Sequence, residues 1–144
     1  MNVDVMEVAP LSKTRYKWWG YIKAVIRAYP SLKKEYEELH EQSITAKLSS
    51  LPGGGEVTRG TEDIAIRELP YTKQREYEAV RRAVEATRRL EGGDRRVMII
   101  DLVYWKNSHT LAGAAMKAGY SYDRAKQLHR DFIITVAKHY GLLD

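Results

Sequence analysis

Apolar positions along this chain recur at intervals of three and four, which predicts helices. Trp19, Ile22, Ile26 and Tyr29 are spaced three, four and three apart and share one helical face. Pro30 is expected to end that helix, because its ring blocks continuation and biases Tyr29 away from the α region. Ser31 then offers a cap for a second helix, with Leu32, Tyr36 and Leu39, and further on Ile44 and Leu48, on a common face. Pro52-Gly53-Gly54-Gly55 is the clearest break in the pattern. Consecutive glycines hold regular structure poorly, so residues 49–60 read as a mobile loop.

The helical pattern resumes at Thr61 with Ile64, Ala65 and Leu69, until Pro70 interrupts it. Thr72 offers a cap for a helix running to about Leu90, with Tyr77, Val80, Val84 and Thr87 inward. Gly92-Gly93 is expected to stop that helix as a C-cap, and Asp94 to cap the next one, RRVMIIDLVYW. This apolar run is short enough for a strand, but the sequence offers no second strand to pair with it, so it reads as helix. The expected fold class is all-α, with five or six helices. Residues 1–60 form a helical pair with the glycine loop, and residues 61–144 form a second helical region.

Within that second region, Leu111 to Arg130 reads LAGAAMKAGYSYDRAKQLHR. A helix-turn-helix needs a small fifth residue where its helices cross, and here it is Ala115. It needs a residue tolerant of positive φ at the ninth place, and here it is Gly119. Its fourth, eighth, tenth, fifteenth and eighteenth places face inward, and these are Ala114, Ala118, Tyr120, Ala125 and Leu128. Ser121 stands where the second helix begins, so its hydroxyl can cap the amide of Asp123 or Arg124. The outer face of that helix would carry Ser121, Tyr122, Asp123, Lys126, Gln127 and Arg130, with Arg124 beside them. Gln can bridge adenine, Lys and Arg can reach guanine or phosphate, and Tyr can meet phosphate or a thymine methyl. The expected DNA-binding residues are therefore Ser121, Tyr122, Arg124, Lys126, Gln127 and Arg130. The alternative is an ordinary helical hairpin with a solvated outer face, which Asp123 suits. Beyond the motif, Phe132, Val136 and Tyr140 prolong a buried stripe that Ile133 and Ile134 widen, until Gly141 can stop the helix.

The whole layout resembles phage late-transcription regulators of the RinA/ArpU type. The shared features are a helical segment containing YIKAVIRAYPSLKKEYEEL, a triple-glycine loop and a helix beginning TEDIAIRELP. A long basic helix follows, then an apolar helix ending in Tyr104-Trp105 and a C-terminal helix-turn-helix. The C-terminal half also resembles the DNA-binding fourth region of bacterial sigma factors. The resemblance implies sequence-specific promoter binding in the cytoplasm of a bacterial host, activation of phage late genes and contact with host RNA polymerase. The recognition segment SYDRAKQLHRDF is less basic than such regulators usually carry. A single helix-turn-helix reads few base pairs, so a homodimer or the polymerase is an expected partner. The alternative is a phage packaging or assembly component. Small terminase subunits also combine helical bundles with a helix-turn-helix but bind packaging sites as rings, and head-connector proteins need no DNA specificity.

Charge sharpens this reading slightly. The chain of 144 residues carries 24 Lys/Arg against 19 Asp/Glu, a net charge of +5. Residues 92–144 hold eight basic and five acidic residues with three of the four histidines, against sixteen and fourteen in residues 1–91. A denser surplus near the C-terminus hints at an anionic partner. The 44% apolar content argues against wholesale disorder, and no run of about 18 apolar residues predicts a membrane span. The first residues are too acidic and interrupted for a secretory signal, so an intracellular protein is expected.

The remaining chemistry is sparse. With no cysteine, disulfides, thiolate metal sites and thiol nucleophiles are excluded. His129 and His139 lie ten apart, not at the three or four spacing of a shared metal site; His129, next to Arg130, could brush phosphate. The glycine loop lacks the Lys-Ser/Thr of a phosphate-binding loop. Glu35, Glu37, Glu38 and Glu41 read as a solvated face, or as a surface for a partner such as polymerase. Arg81, Arg82, Arg88 and Arg89 read as a helical salt-bridge face at least as readily as a phosphate contact. Of the adjacent Trp18 and Trp19, one is expected in the core and the other at an edge or an oligomer contact. No acid–base pair, nucleophile set or metal cluster emerges, so neither an enzyme nor a cofactor is expected.

Overall fold

The computed structural model describes residues 16–50 and 69–143. It is all-α, with no strand among the described residues. Helix α1 spans Trp19–Ser50, α2 Tyr71–Arg88, α3 Gly93–Ile100, α4 Leu111–Ala118 and α5 Tyr122–Tyr140, with a π-helical turn at Asp101–Trp105. Residues 49 and 50, expected to open the glycine loop, instead end α1 as helix; the rest of that loop and the segment from Thr61 through residue 68 lie outside the described residues, as do the side chains of Ile44 and Leu48.

α1 corrects the expected break at Pro30: one helix of 32 residues runs through the proline, and Ser31 is interior to it, not a cap. A proline in a helix leaves the carbonyl four residues earlier without its usual N–H donor. That carbonyl belongs to Ile26, and it accepts a hydrogen bond from the Trp105 indole Nε1 at 2.7 Å. Tertiary structure thus replaces the bond that the proline removes.

Two further boundaries differ from expectation for local steric reasons. The N-cap of α2 is Pro70, whose φ of −54° suits helix entry, and Thr72 lies inside the first turn. Between α2 and α3, Gly92 and Gly93 do not terminate α2, whose C-cap is Arg89; they start α3. Gly92, at φ +69°, is the N-cap of α3 in place of Asp94, which makes no side-chain capping bond. Gly93 is buried against the end of α2, where a Cβ would come within 2.4 Å of the Arg88 carbonyl oxygen. Only glycine allows the chain to reverse that tightly.

The apolar helix ending in Tyr104-Trp105 is helical as read, but its last turn widens. The Lys106 amide bonds the Asp101 carbonyl five residues back, at 2.7 Å. This turn buries Tyr104 and brings Trp105 against the same core.

Apolar side chains gather in two clusters. The larger joins α1, α2 and the C-terminal half of α5, with Ile22, Ile26, Val80, Ile133 and Val136 among its most buried members. Tyr77, Val80, Val84 and Thr87 are buried on α2, and Trp19 is in the core while Trp18 packs at its edge. The smaller cluster joins α3, α4 and the first half of α5 through Ile99, Leu102, Leu128 and four alanines. Gly141, at φ +101°, closes α5 where expected.

Candidate nucleic-acid interface

Helices α4 and α5 form a tight pair whose termini are fixed by short-range chemistry. The Thr110 hydroxyl caps α4 by accepting from the Gly113 amide at 3.1 Å. Gly119 ends α4 in the left-handed region at φ +83°. Ser121 caps α5, its Oγ accepting from the Arg124 amide at 3.1 Å. Ala114, Ala115, Ala118, Ala125 and Leu128 are buried between the helices, and Tyr120 packs against them half-buried.

One residue that periodicity could not single out locks this turn. Arg95, on the first turn of α3, donates from Nε to the Ala118 carbonyl at 2.8 Å and from Nη2 to the Gly119 carbonyl at 3.1 Å. Its guanidinium also lies over the Tyr120 ring, 4.4 Å from the centroid. The C-terminal carbonyls of α4 therefore meet a fixed cation, the arrangement a helix C-terminus favours. The only trace of this in the sequence is an arginine following the glycine pair, which by itself names no partner.

The first two turns of α5 leave their outer face open. Ser121, Tyr122, Asp123, Arg124, Lys126 and Gln127 are all exposed. Their polar groups contact one another: Arg124 Nη1 donates to Gln127 Oε1 at 3.0 Å, Lys126 pairs with Asp123 at 3.6 Å, and the Lys126 ammonium lies over the Tyr122 ring. Such exposed pairs are worth only a few tenths of a kcal/mol, so they exchange readily for a stronger anion.

Arg130 stands apart from that group. It is half-buried where α5 enters the larger cluster, and its Nε is buried without a hydrogen-bond partner among the described residues. His129 is turned inward as well: its Nε2 lies 2.7 Å from the Tyr104 hydroxyl and its ring stacks on the Tyr104 ring. Burial pushes the Tyr104 phenol up to about 12, with the nearby Arg27 guanidinium opposing the shift. Tyr104 is therefore a neutral phenol at physiological pH.

The other basic set is largely committed. Arg81 pairs with Glu78 at 2.6 Å and Glu85 at 2.8 Å, and Arg82 reaches Glu78 at 3.5 Å, forming a salt-bridge face on α2. Arg88 lies 3.8 Å from Asp94, while Arg89 is exposed and unpaired among the described residues. Among the described residues no group of three or more His, Asp or Glu is placed to hold a metal ion, and no helix is long and apolar enough to cross a membrane.

Comparison with protein-family models, curated proteins and solved structures gave no match to this chain.

Proposed function

We propose that this protein is a sequence-specific DNA-binding transcriptional regulator, of the kind that activates phage late genes, and that the first two turns of α5 enter the major groove. The observation that carries this reading is the open face at Tyr122, Arg124, Lys126 and Gln127, presented by a turn that Arg95, Gly119 and Ser121 hold rigid. An amide, a guanidinium, an ammonium and a phenol on one short face can hydrogen-bond base edges and phosphates together. A groove-reading helix needs a fixed approach angle, and the alanine-lined crossing of α4 and α5 supplies one. Arg130 serves at the margin of this face, as a phosphate contact at most one turn further along. So short a face reads few base pairs, so the proposal includes a second copy or RNA polymerase as co-partner.

The test is selection of bound fragments from a random duplex pool at about 0.15 M salt. Wild-type protein is compared with Lys126→Ala/Gln127→Ala, which spares the half-buried Arg130 and hence the core. Wild type should enrich a motif that the variant loses, with binding weakened by about 1–3 kcal/mol and the salt slope lowered by roughly one. Failure of the wild type to enrich any duplex would overturn the proposal. If the enriched fragments map to a packaging site and the protein sediments as a ring, the packaging reading replaces promoter control.

A further inference from the structure

A trough of about 770 Å³ runs between α1, α2, the segment formed by α3 with its π-helical turn, and α4. Its long wall is one stripe of that segment: Asp94, Met98, Asp101 and Trp105 follow one another at spacings of four, three and four. At about 1.5 Å per residue this stripe is about 17 Å long, three helical turns. The floor is apolar, with Val84, Val97 and Leu102 each buried, and Met98 is 38% exposed along the wall.

The rim is predominantly positive. Lys33, Arg88, Lys106 and Lys117 face two carboxylates. Both carboxylates already have a cation, Asp101 with Lys106 at 3.4 Å and Asp94 with Arg88 at 3.8 Å. Lys33 and Lys117 are exposed and form no ion pair among the described residues. The surplus charge is thus two lysines, one contributed by α1 and one by α4.

Shape and charge together select the occupant. Small organic ligands favour clefts that bury most of their surface. This trough is open, since Pro30, Lys33, Met98 and Lys106 on its rim are all exposed. An open apolar channel three turns long suits the apolar face of a helix, whose anchors recur at i, i+3 or i+4, and i+7. Methionine on the wall adapts to such anchors. We infer that this trough docks a short amphipathic helix of a partner protein, with apolar anchors on one face and Asp or Glu along its flanks to meet Lys33 and Lys117. None of the exposed α5 residues lines the trough, so docking and DNA contact are separable and this inference stands without the DNA-binding proposal.

The full chain is titrated into fluorescein-labelled helical probe peptides of about 15 residues. One carries Leu at the i, i+3, i+4, i+7 positions and Glu elsewhere; a second replaces Glu by Lys; a third keeps the first composition with the leucines scrambled. Saturable binding of the first peptide alone is expected. Lys33→Glu/Lys117→Glu should weaken it at least about tenfold, and Met98→Arg, which fills the channel, should do the same. Lys17→Glu/Lys138→Glu lowers the net charge equally but lies off the trough and off the proposed DNA face, and should change affinity by less than about threefold. Thermal melting checks each fold, and the Lys33/Lys117 pair, being exposed, decides the matter if Met98→Arg unfolds. The inference is overturned if no acidic peptide binds, if the scrambled peptide binds equally, or if both charge-matched pairs lose affinity alike. It is also overturned if the protein self-associates through this surface, so that Met98→Arg abolishes a dimer while peptide has no effect; a second copy would then be the occupant.

Discussion

Of the two apolar clusters, the larger draws on Ile22, Ile26, Val80, Phe132, Ile133 and Val136, while the smaller rests on Ala114, Ala115, Ala118 and Ala125. Branched and aromatic side chains supply buried area and hence stability. Alanines supply little area but let helix backbones approach, which fixes how α4 and α5 cross. The same α5 serves both clusters, with Phe132 to Ala137 in the large one and Ala125 to Leu128 in the small one. One helix is thus anchored by volume at its C-terminal end and aimed by closeness at its N-terminal end.

That division predicts opposite consequences for two substitutions. Ile133, fully buried, when changed to Ala should cost about 2–5 kcal/mol in urea unfolding. Under the proposed DNA-binding role, protein that remains folded should still discriminate between duplexes. Ala115→Leu should cost less, about 1–3 kcal/mol for overpacking, yet abolish discrimination because α4 is pushed away from α5. If Ala115→Leu left duplex selectivity intact, the alanine spacing would have no part in presenting α5.

A second contrast concerns how each region treats its polar groups. At the larger cluster and its edge several are bonded across the fold: the Trp105 indole holds the Ile26 carbonyl, and the exposed Tyr21 bonds Glu76 and Tyr140, while the buried Trp19 indole Nε1 has no hydrogen-bond partner among the described residues. On the outer face of α5 they bond only neighbours on the same helix. Trp105→Phe should cost about 1–3 kcal/mol, because it leaves the Ile26 carbonyl without a donor. Pro30→Ala restores an N–H four residues along, so the Trp105→Phe loss should be clearly smaller in that background. Equal losses in the two backgrounds would mean that Trp105 acts through packing alone.

How much of this was legible in the sequence divides along the same line. The α4–turn–α5 unit could be read residue by residue, because its constraints are local: a positive φ at Gly119, a cap at Ser121, small residues at fixed offsets. The inward stripe of α2 at Tyr77, Val80, Val84 and Thr87 was legible for the same reason. The continuation of α1 through Pro30 was not, since the group that rescues it, Trp105, lies 79 residues away along the chain. Arg95 was missed in the same way, and Arg130 was read onto the outer face although it is half-buried, because what packs against each is set by distant parts of the chain. Gly92-Gly93 was recognised as a boundary but assigned to the wrong helix, because glycine signals a reversal without saying which side needs it.

The smallest effect gives the finest version of the comparison. Thr110 and Ser121 cap the two helices of the same unit with the same geometry, each accepting at 3.1 Å from the amide three residues on. Removing either hydroxyl by Thr110→Ala or Ser121→Ala should cost about 1 kcal/mol of stability, the usual worth of an N-cap. Their effects on duplex affinity should differ. Loss of the Ser121 cap loosens the first turn of α5, which carries Tyr122 and Arg124, whereas loss of the Thr110 cap loosens a turn that carries none of the proposed DNA contacts. Ser121→Ala should therefore weaken duplex binding beyond what its stability loss explains, and Thr110→Ala should not. Fluorescence anisotropy on a selected duplex, run well below both melting temperatures, separates the two. Equal affinity losses would move the proposed DNA contact to the α4–α5 unit as a whole, since only a contact confined to the open face of α5 makes the two caps unequal.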